Sequence, residues 1–197
     1  RLDRATSGLM VVARTQRALT VLSRHFHRRM VEKRYAAIVR GVLARDEETI
    51  IASIGRDPER RPRWWVMEGG RDAETRLRVL KRGERTTLLE LEPVTGRTNQ
   101  LRIHCAYLGH PVVGDELYDQ GAGGREQGSG IDNRCVRDYE STGESNTGPQ
   151  SPIPAPRPLP PVRLCLHAWR LAFHHPACGR WMEFDSAIPA EMAEAFV

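Results

Sequence analysis

Cysteine is scarce and unpatterned in this chain. Four of its 197 residues, Cys105, Cys135, Cys165 and Cys178, form no C-x-x-C pair and keep no zinc-finger spacing with histidines. Disulfide scaffolds are shorter and denser in cysteine, so a secreted stapled fold is excluded and reduced thiols are expected. No run approaches the roughly 20 consecutive apolar residues of a bilayer-spanning helix, so no membrane partner is expected. Lysine is nearly missing too, with only Lys33 and Lys81 among thirty basic residues. The rest are arginine, which grips phosphate bidentately and stacks on bases. Thirty cations against 25 acids give a formal charge of +5, which favours a nucleic-acid partner without establishing one.

The length suits one domain, 1–197, with a real core. The sequence begins without Met and enters its most distinctive motif at once, so a region upstream is expected, and with it a domain that is truncated here. An intracellular, cytoplasmic protein acting as a monomer is the expectation. No internal repeat stands out.

Along the chain, residues 8–14 read as a buried strand, a short apolar run after a glycine. Thr15 is a plausible N-cap for a helix to about Met30, with Ala18, Leu19, Leu22 and Phe26 at helical spacing and arginines between them. Residues 32–39 read as a second strand, 49–54 and 76–80 as weaker ones, and 86–91 as a strand covered on one face. Arg97 to Leu108 supports a short helix stopped by Gly109. From about 120 to 161 the composition turns to Gly, Ser, Asn and Pro, and a disordered or mobile insertion is expected. Order is expected to resume at 164–173 and in a last strand near 181–184. Many strands and two evident helices predict a mixed α+β domain on a mainly antiparallel sheet.

Four constellations bear on chemistry. Arg1-Leu2-Asp3-Arg4 sets one carboxylate between guanidinium groups, which should keep it ionised and aimed, as a nucleophile or proton acceptor requires. An ordinary turn-capping Asp is the plain alternative, weakened by the turn-forming Thr6-Ser7-Gly8 beside a strand. Tyr35, in Lys33-Arg34-Tyr35-Ala36-Ala37-Ile38-Val39, reads equally as a core aromatic and as a ring that stacks on a base. In Gly96-Arg97-Thr98-Asn99-Gln100-Leu101-Arg102-Ile103-His104, Arg97 and Arg102 should project differently, one to phosphate and one inward to a carboxylate. His104 and His110 find no third ligand at a convincing spacing, so no metal is expected. Finally, Arg14 to Arg40 holds eight Lys or Arg and one acid, Glu32. This local excess is larger than the charge of the whole molecule, so phosphate contact is the better reading.

Taken together, R-L-D-R-A-T-S-G-L, K-R-Y-A-A-I-V-R-G, G-R-T-N-Q-L-R-I-H with G-H-P-V-V-G-D, and L-H-A-W-R-L-A-F-H-H-P resemble the RluA-type family of RNA pseudouridine synthases. The resemblance implies a catalytic domain around a bent antiparallel sheet. It also implies RNA, ribosomal or transfer, in a basic cleft, and isomerisation of uridine without cofactor or metal. By the same resemblance Asp3 is the essential aspartate and Tyr35 the ring that stacks on uracil and assists proton removal from carbon 5. Arg102 is the ion-pair partner of Asp3, and Arg1 the arginine that enters the RNA stack as the target base flips out. Arg4, Arg28, Arg29, Lys33, Arg34 and Arg97 are expected to bind RNA. Asn99 stands where many members carry His, an exchange expected to be tolerated. Two rival readings are a catalytically silent RNA-binding module and a metal-dependent nuclease or phosphoesterase built on Asp3, Asp115 and histidines. Neither the target uridine nor its RNA is specified by the sequence.

Overall fold

The computed structural model describes residues 1–58, 63–119 and 163–196. The insertion expected at about 120–161, and Cys135 with it, lies outside the described residues. In chain order the elements are β1 (Ser7–Gly8), α1 (Gln16–His27), β2 (Glu32–Arg40), β3 (Glu47–Ile51), β4 (Ile54–Arg56), β5 (Trp64–Val66), β6 (Glu74–Arg82), β7 (Thr86–Pro93), α2 (Gln100–Tyr107), β8 (Leu166–His174), β9 (Trp181–Asp185) and α3 (Ala190–Glu194). Seven strands make one sheet in the order β1-β8-β2-β7-β6-β3, with β9 also paired to β8, while β4 and β5 form a separate hairpin. Every strand pairing is antiparallel except β1 with β8. The expected α+β class with a mainly antiparallel sheet is what the chain forms.

β2 lies near the middle of the sheet, between β8 and β7. Its Ala36-Ala37-Ile38-Val39 run is at most 1% exposed, so both faces of the sheet are covered there and a continuous apolar stretch is required. α1 begins as expected, with Thr15 extended and its hydroxyl accepting the Ala18 N–H. Only Leu22 of α1 is fully buried. Together with Val31, Leu171 and Phe173 it forms a small apolar cluster to which Leu9, Val11 and Ala13 add.

That cluster corrects the first predicted strand. Pairing stops at Gly8, and residues 9–14 belong to no strand; Leu9, Val11 and Ala13 are half-buried while Met10, Val12 and Arg14 face solvent. The alternation buries one side only, so the apolar run makes a packed edge and no ladder. The weak strand predicted over 49–54 is two, β3 and β4, and both the β4–β5 hairpin and α3 went unread because three to five residues carry too little periodicity.

A polar network holds α2 to the sheet. Gln100, 3% exposed, donates through Nε2 to Glu74 O (2.9 Å) and Thr75 Oγ1 (3.0 Å), and its Oε1 accepts from Thr95 Oγ1 (2.8 Å) and Arg97 N (2.9 Å). His104, wholly buried, lies 2.9 Å through Nδ1 from Thr75 Oγ1 and 3.1 Å through Nε2 from Ala52 O. A carbonyl accepts only, so Nε2 carries the proton and Nδ1 accepts from Thr75. Burial lowers the His104 pKa below its ordinary value, and the Ala52 hydrogen bond works the other way. A group whose folded pKa is depressed in this sense binds protons better once unfolded. Its contribution to stability is therefore complete above the ordinary histidine pKa of about 6.5 and is lost as the pH falls from there. Thermal melting between about pH 7 and pH 5 should drop more steeply in the wild type than in His104→Gln; equal slopes would reject this assignment.

Candidate active site

The segment carrying Asp3 is tied down before it can wander. Thr6 N donates to Asp3 O at 3.0 Å, closing a turn, and Ser7–Gly8 then run parallel to His167–Ala168 of β8. Gly8 has φ +109°, and a Cβ there would stand 2.3 Å from Ala168 O, so only glycine permits the approach. The Ser7 hydroxyl lies 2.8 Å from His167 Nδ1, and His167 Nε2 lies 3.2 Å from Ser186 Oγ, bracing β1 against the chain beyond β9. Turn chemistry at Thr6-Ser7-Gly8 therefore presents Asp3 from a fixed base.

Tyr35 arrives from β2. Register against β8 shifts between Arg34, opposite Arg170, and Tyr35, opposite Ala168, leaving Trp169 as an extra residue. Such a bulge bends the ladder and re-aims the neighbouring side chains. Lys33 and Tyr35 share the face that lines the cleft holding Asp3. Arg34, between them, points to the opposite face. There it pairs with Glu92 at 2.9 Å and Glu90 at 3.7 Å of β7, beside an Arg78–Glu90 pair at 3.0 Å. Strand alternation thus sets Arg34, expected to bind RNA, on the face away from the Asp3 cleft, where two acids on the next strand pair with it.

The third wall is the entry to α2. The helix starts at Gln100, so Arg97 precedes it and does not share it with Arg102. Arg102 forms a bidentate pair with Asp115, Nε to Oδ2 and Nη2 to Oδ1, both 2.6 Å, while its Nη1 stands 4.0 Å from Asp3 Oδ2. The inward role predicted for Arg102 is found, but its main partner is Asp115, with Asp3 a longer contact. Asp115 is itself held: its Oδ1 also accepts the Leu117 and Tyr118 N–H groups, each at 3.0 Å.

These surroundings reverse one electrostatic expectation. Burial raises the Asp3 pKa above the usual carboxylate value; Arg102 first and Arg1 second pull it back, and Asp115 adds to the rise. Desolvation wins over the arginines, so Asp3 is a more basic carboxylate than its neighbours in sequence suggest. Arg4, exposed, plays no visible part in this balance. Burial, with the Asp3 charge behind it, also raises the Tyr35 pKa and keeps the phenol neutral. Burial lowers the Lys33 pKa, against Glu92 and with Arg29.

The resulting cleft has a volume of about 350 Å³, within the span of small-ligand pockets, and is lined by Arg1, Asp3, Lys33, Tyr35, Arg97 and Asn99 among others. Arg97 Nε donates to Asp72 O at 2.8 Å, leaving the rest of the guanidinium at the rim. Arg28 and Arg29 are exposed just past the end of α1. Among the described residues, no group of three or more His, Cys, Asp or Glu is placed to hold a metal ion. The donors a metal site would draw on are already engaged: Asp115 by Arg102, both nitrogens of His104 by Thr75 and Ala52, and His110 Nδ1 by Arg40 O at 2.8 Å. Sequence reasoning passed over Asp115 as a structural partner and missed Tyr118, whose ring lies 5.1 Å beneath the Arg102 guanidinium. The acid in Gly114-Asp115, thirteen residues past Arg102, was the available signal.

A family model described as RNA pseudouridylate synthase matches residues 1–107. The ribosomal large subunit pseudouridine synthase D of Nitrosomonas europaea is 36% identical over 193 residues, 98% of this chain and 48% of that protein. The dual-specificity RNA pseudouridine synthase RluA of Pasteurella multocida is 36% identical over 192 residues, 96% of this chain and 72% of that protein. The solved structure of human RNA pseudouridylate synthase domain containing 1 superposes with a TM-score of 0.66 at 29% identity, covering 95% of this chain and 66% of that one. The chain spans about half the length of the first curated relatives it matches, 48% and 52%. With the RluA-type motifs on the sheet and around the cleft just described, the chain belongs to the RNA pseudouridylate synthase family.

Proposed function

We propose that this chain, as a single catalytic domain, isomerises uridine to pseudouridine in structured RNA, ribosomal or transfer, with Asp3 as the reacting carboxylate. The observation that carries the reading is a desolvated Asp3 sharing one cleft with the neutral phenol of Tyr35 and standing 4.0 Å from the clamped Arg102. In the reaction the C1′–N1 bond breaks, a C1′–C5 bond forms, C5 gives up its proton and N1 gains one, so atoms balance without a co-reactant. A carboxylate of raised basicity suits either attack or proton abstraction at the nucleoside. A neutral Tyr35 is a poor standing base. It serves as a flat ring against the uracil, and its hydroxyl moves a proton only in concert with a second group.

A stacked uridine cannot present its sugar and ring edge to one carboxylate, so the base leaves the stack at a cost of a few kcal/mol. In this reading Arg1, exposed and among the residues that line the cleft, fills the space the base vacates. Arg4, Arg28, Arg29, Lys33 and Arg97 supply positive charge for the phosphates, and binding should weaken with salt accordingly. We propose a monomer acting in the cytoplasm, where such RNA resides; among the described residues no helix is long and apolar enough to cross a membrane.

The test is pseudouridine formation on ribosomal and transfer RNA transcripts, with and without chelator. Product unaffected by chelator supports the reading. RNA binding without product would favour the silent module, and activity abolished by chelator would favour the metal-dependent rival.

A further inference from the structure

Asn99 is the one residue of the cleft whose backbone is held in a conformation unusual for its type. It has φ 54° and ψ 19°, the left-handed region, immediately before α2, and its side chain does not cap that helix. Asn tolerates this region better than most residues, but the position costs energy and survives where the surroundings impose it. The side chain lies between two polar groups. With the amide nitrogen turned to Asp3, Nδ2 stands 2.9 Å from Oδ2 and 3.2 Å from Oδ1, and Oδ1 accepts from the Tyr118 hydroxyl at 3.2 Å. The opposite orientation keeps a Tyr118 contact, with Nδ2 donating to the hydroxyl oxygen at 3.2 Å, and takes a long contact of 3.4 Å from Arg102, but it sets two acceptor oxygens, Asn99 Oδ1 and Asp3 Oδ2, against each other at 2.9 Å.

A phenol can give its proton to one partner while its oxygen accepts from another, so Tyr118 is able to donate to Asn99 Oδ1 at 3.2 Å. Tyr118 is fully buried, its ring stacked on Trp65 at 6.0 Å and covered by the Arg63 and Arg102 guanidinium groups, each 5.1 Å away. The donor at the head of the chain is therefore fixed in place.

We propose that Asn99 is a positioning residue for Asp3, relaying a hydrogen bond from the buried Tyr118 phenol to the carboxylate so that it is held in one direction and kept in its ionised form. The proposal rests on Asp3 being the reacting carboxylate. It accounts for how a desolvated acid remains charged when its nearest cation is 4.0 Å away and committed to Asp115. A hydrogen bond donated to the charged form opposes desolvation directly. The charged and titratable groups around Asp3 are Arg1 on its own segment, Lys33 and Tyr35 on β2, Arg97 ahead of α2, Arg102 on α2, and Asp115 and Tyr118 on the turn that follows. Arg102 and Arg1 favour the ionised form, Asp115 opposes it, and Asn99 is the neutral donor among them.

Two variants separate the amide from the backbone. Asn99→Gly deletes the side chain at a φ that glycine adopts freely, and Asn99→Asp keeps its size while replacing the donor with a like charge. The Asp3 carboxyl is titrated by carbon-13 NMR, its signal identified by its loss in Asp3→Asn, and the pH profile of single-turnover pseudouridine formation is followed alongside. Its titration midpoint and the acid limb should both rise by about one pH unit in Asn99→Gly and further in Asn99→Asp. RNA affinity at neutral pH should stay within about twofold, since the amide faces the acid and no phosphate. A midpoint that moves less than about 0.3 unit in both variants overturns the proposal. If the glycine variant does not fold, Asn99→Ala, which removes the amide without adding a charge, takes its place. A shifted midpoint with no product from wild type overturns the proposed reaction and leaves the relay standing; normal product with unmoved midpoints does the reverse.

Discussion

Asp3→Asn is expected to reduce pseudouridine formation by on the order of 10³-fold or more while binding RNA about as tightly as the wild type. The amide keeps the shape of the carboxylate but is neither a nucleophile nor a base. On the proposed reading RNA affinity comes mainly from arginines and Lys33, and removing one half-buried negative charge does not weaken their field. Stability should not suffer. Asp3 loses more to desolvation than its neighbours return, which is why its pKa lies above the ordinary value, and a neutral side chain escapes that cost. Single-turnover rates, filter binding and melting, measured on one preparation, check all three statements. A variant with robust product would remove Asp3 from the chemistry.

Asp115→Ala should be the most destabilising single change at the site, by about 3–5 kcal/mol. Its side chain is fully buried, and it receives four donors: Nε and Nη2 of Arg102 and the backbone N–H groups of Leu117 and Tyr118. Alanine would leave a guanidinium that is 13% exposed with only Asp3 in reach at 4.0 Å, and two backbone donors without acceptors. The turn that carries Tyr118 would loosen, and turnover should fall with it. Asp115→Asn keeps an oxygen for the two N–H groups and one for a single arginine contact, so its loss should be clearly smaller. Denaturant unfolding of the pair gives the comparison. An alanine variant within about 1 kcal/mol of wild type would show that the clamp is dispensable.

Much of the candidate site is visible in the chain because the proposed reacting groups sit inside short contiguous motifs. Asp3, Tyr35 and Arg102 each occur in a local context whose chemistry is readable, and the structure brings all three to one cleft. Arg34 shows where such reading stops. Its alternation with Tyr35 is local, yet the acids that claim it, Glu90 and Glu92, come from β7 more than fifty residues later. The predicted strand over 8–14 failed for a related reason: an apolar run records that something is buried, and only the position of β8 shows that pairing ends at Gly8. Asn99 looked like one more polar residue in a polar motif. Its left-handed backbone and its two partners follow from how α2 docks, and no spacing announces them.

By itself, then, the sequence determined the local quantities: the α+β class through its periodicities, the caps at Thr15 and Gly109, the excess of arginine, and the motifs that single out Asp3 as the candidate carboxylate. The tertiary structure alone decided which charges meet and how much water each retains. Arg102 could have been given wholly to Asp3; folding gives it first to Asp115. Asp3 should have been held acidic by the arginines beside it; burial makes it more basic. Coulomb interactions and desolvation depend on distance and dielectric in three dimensions, and neighbours in sequence specify neither.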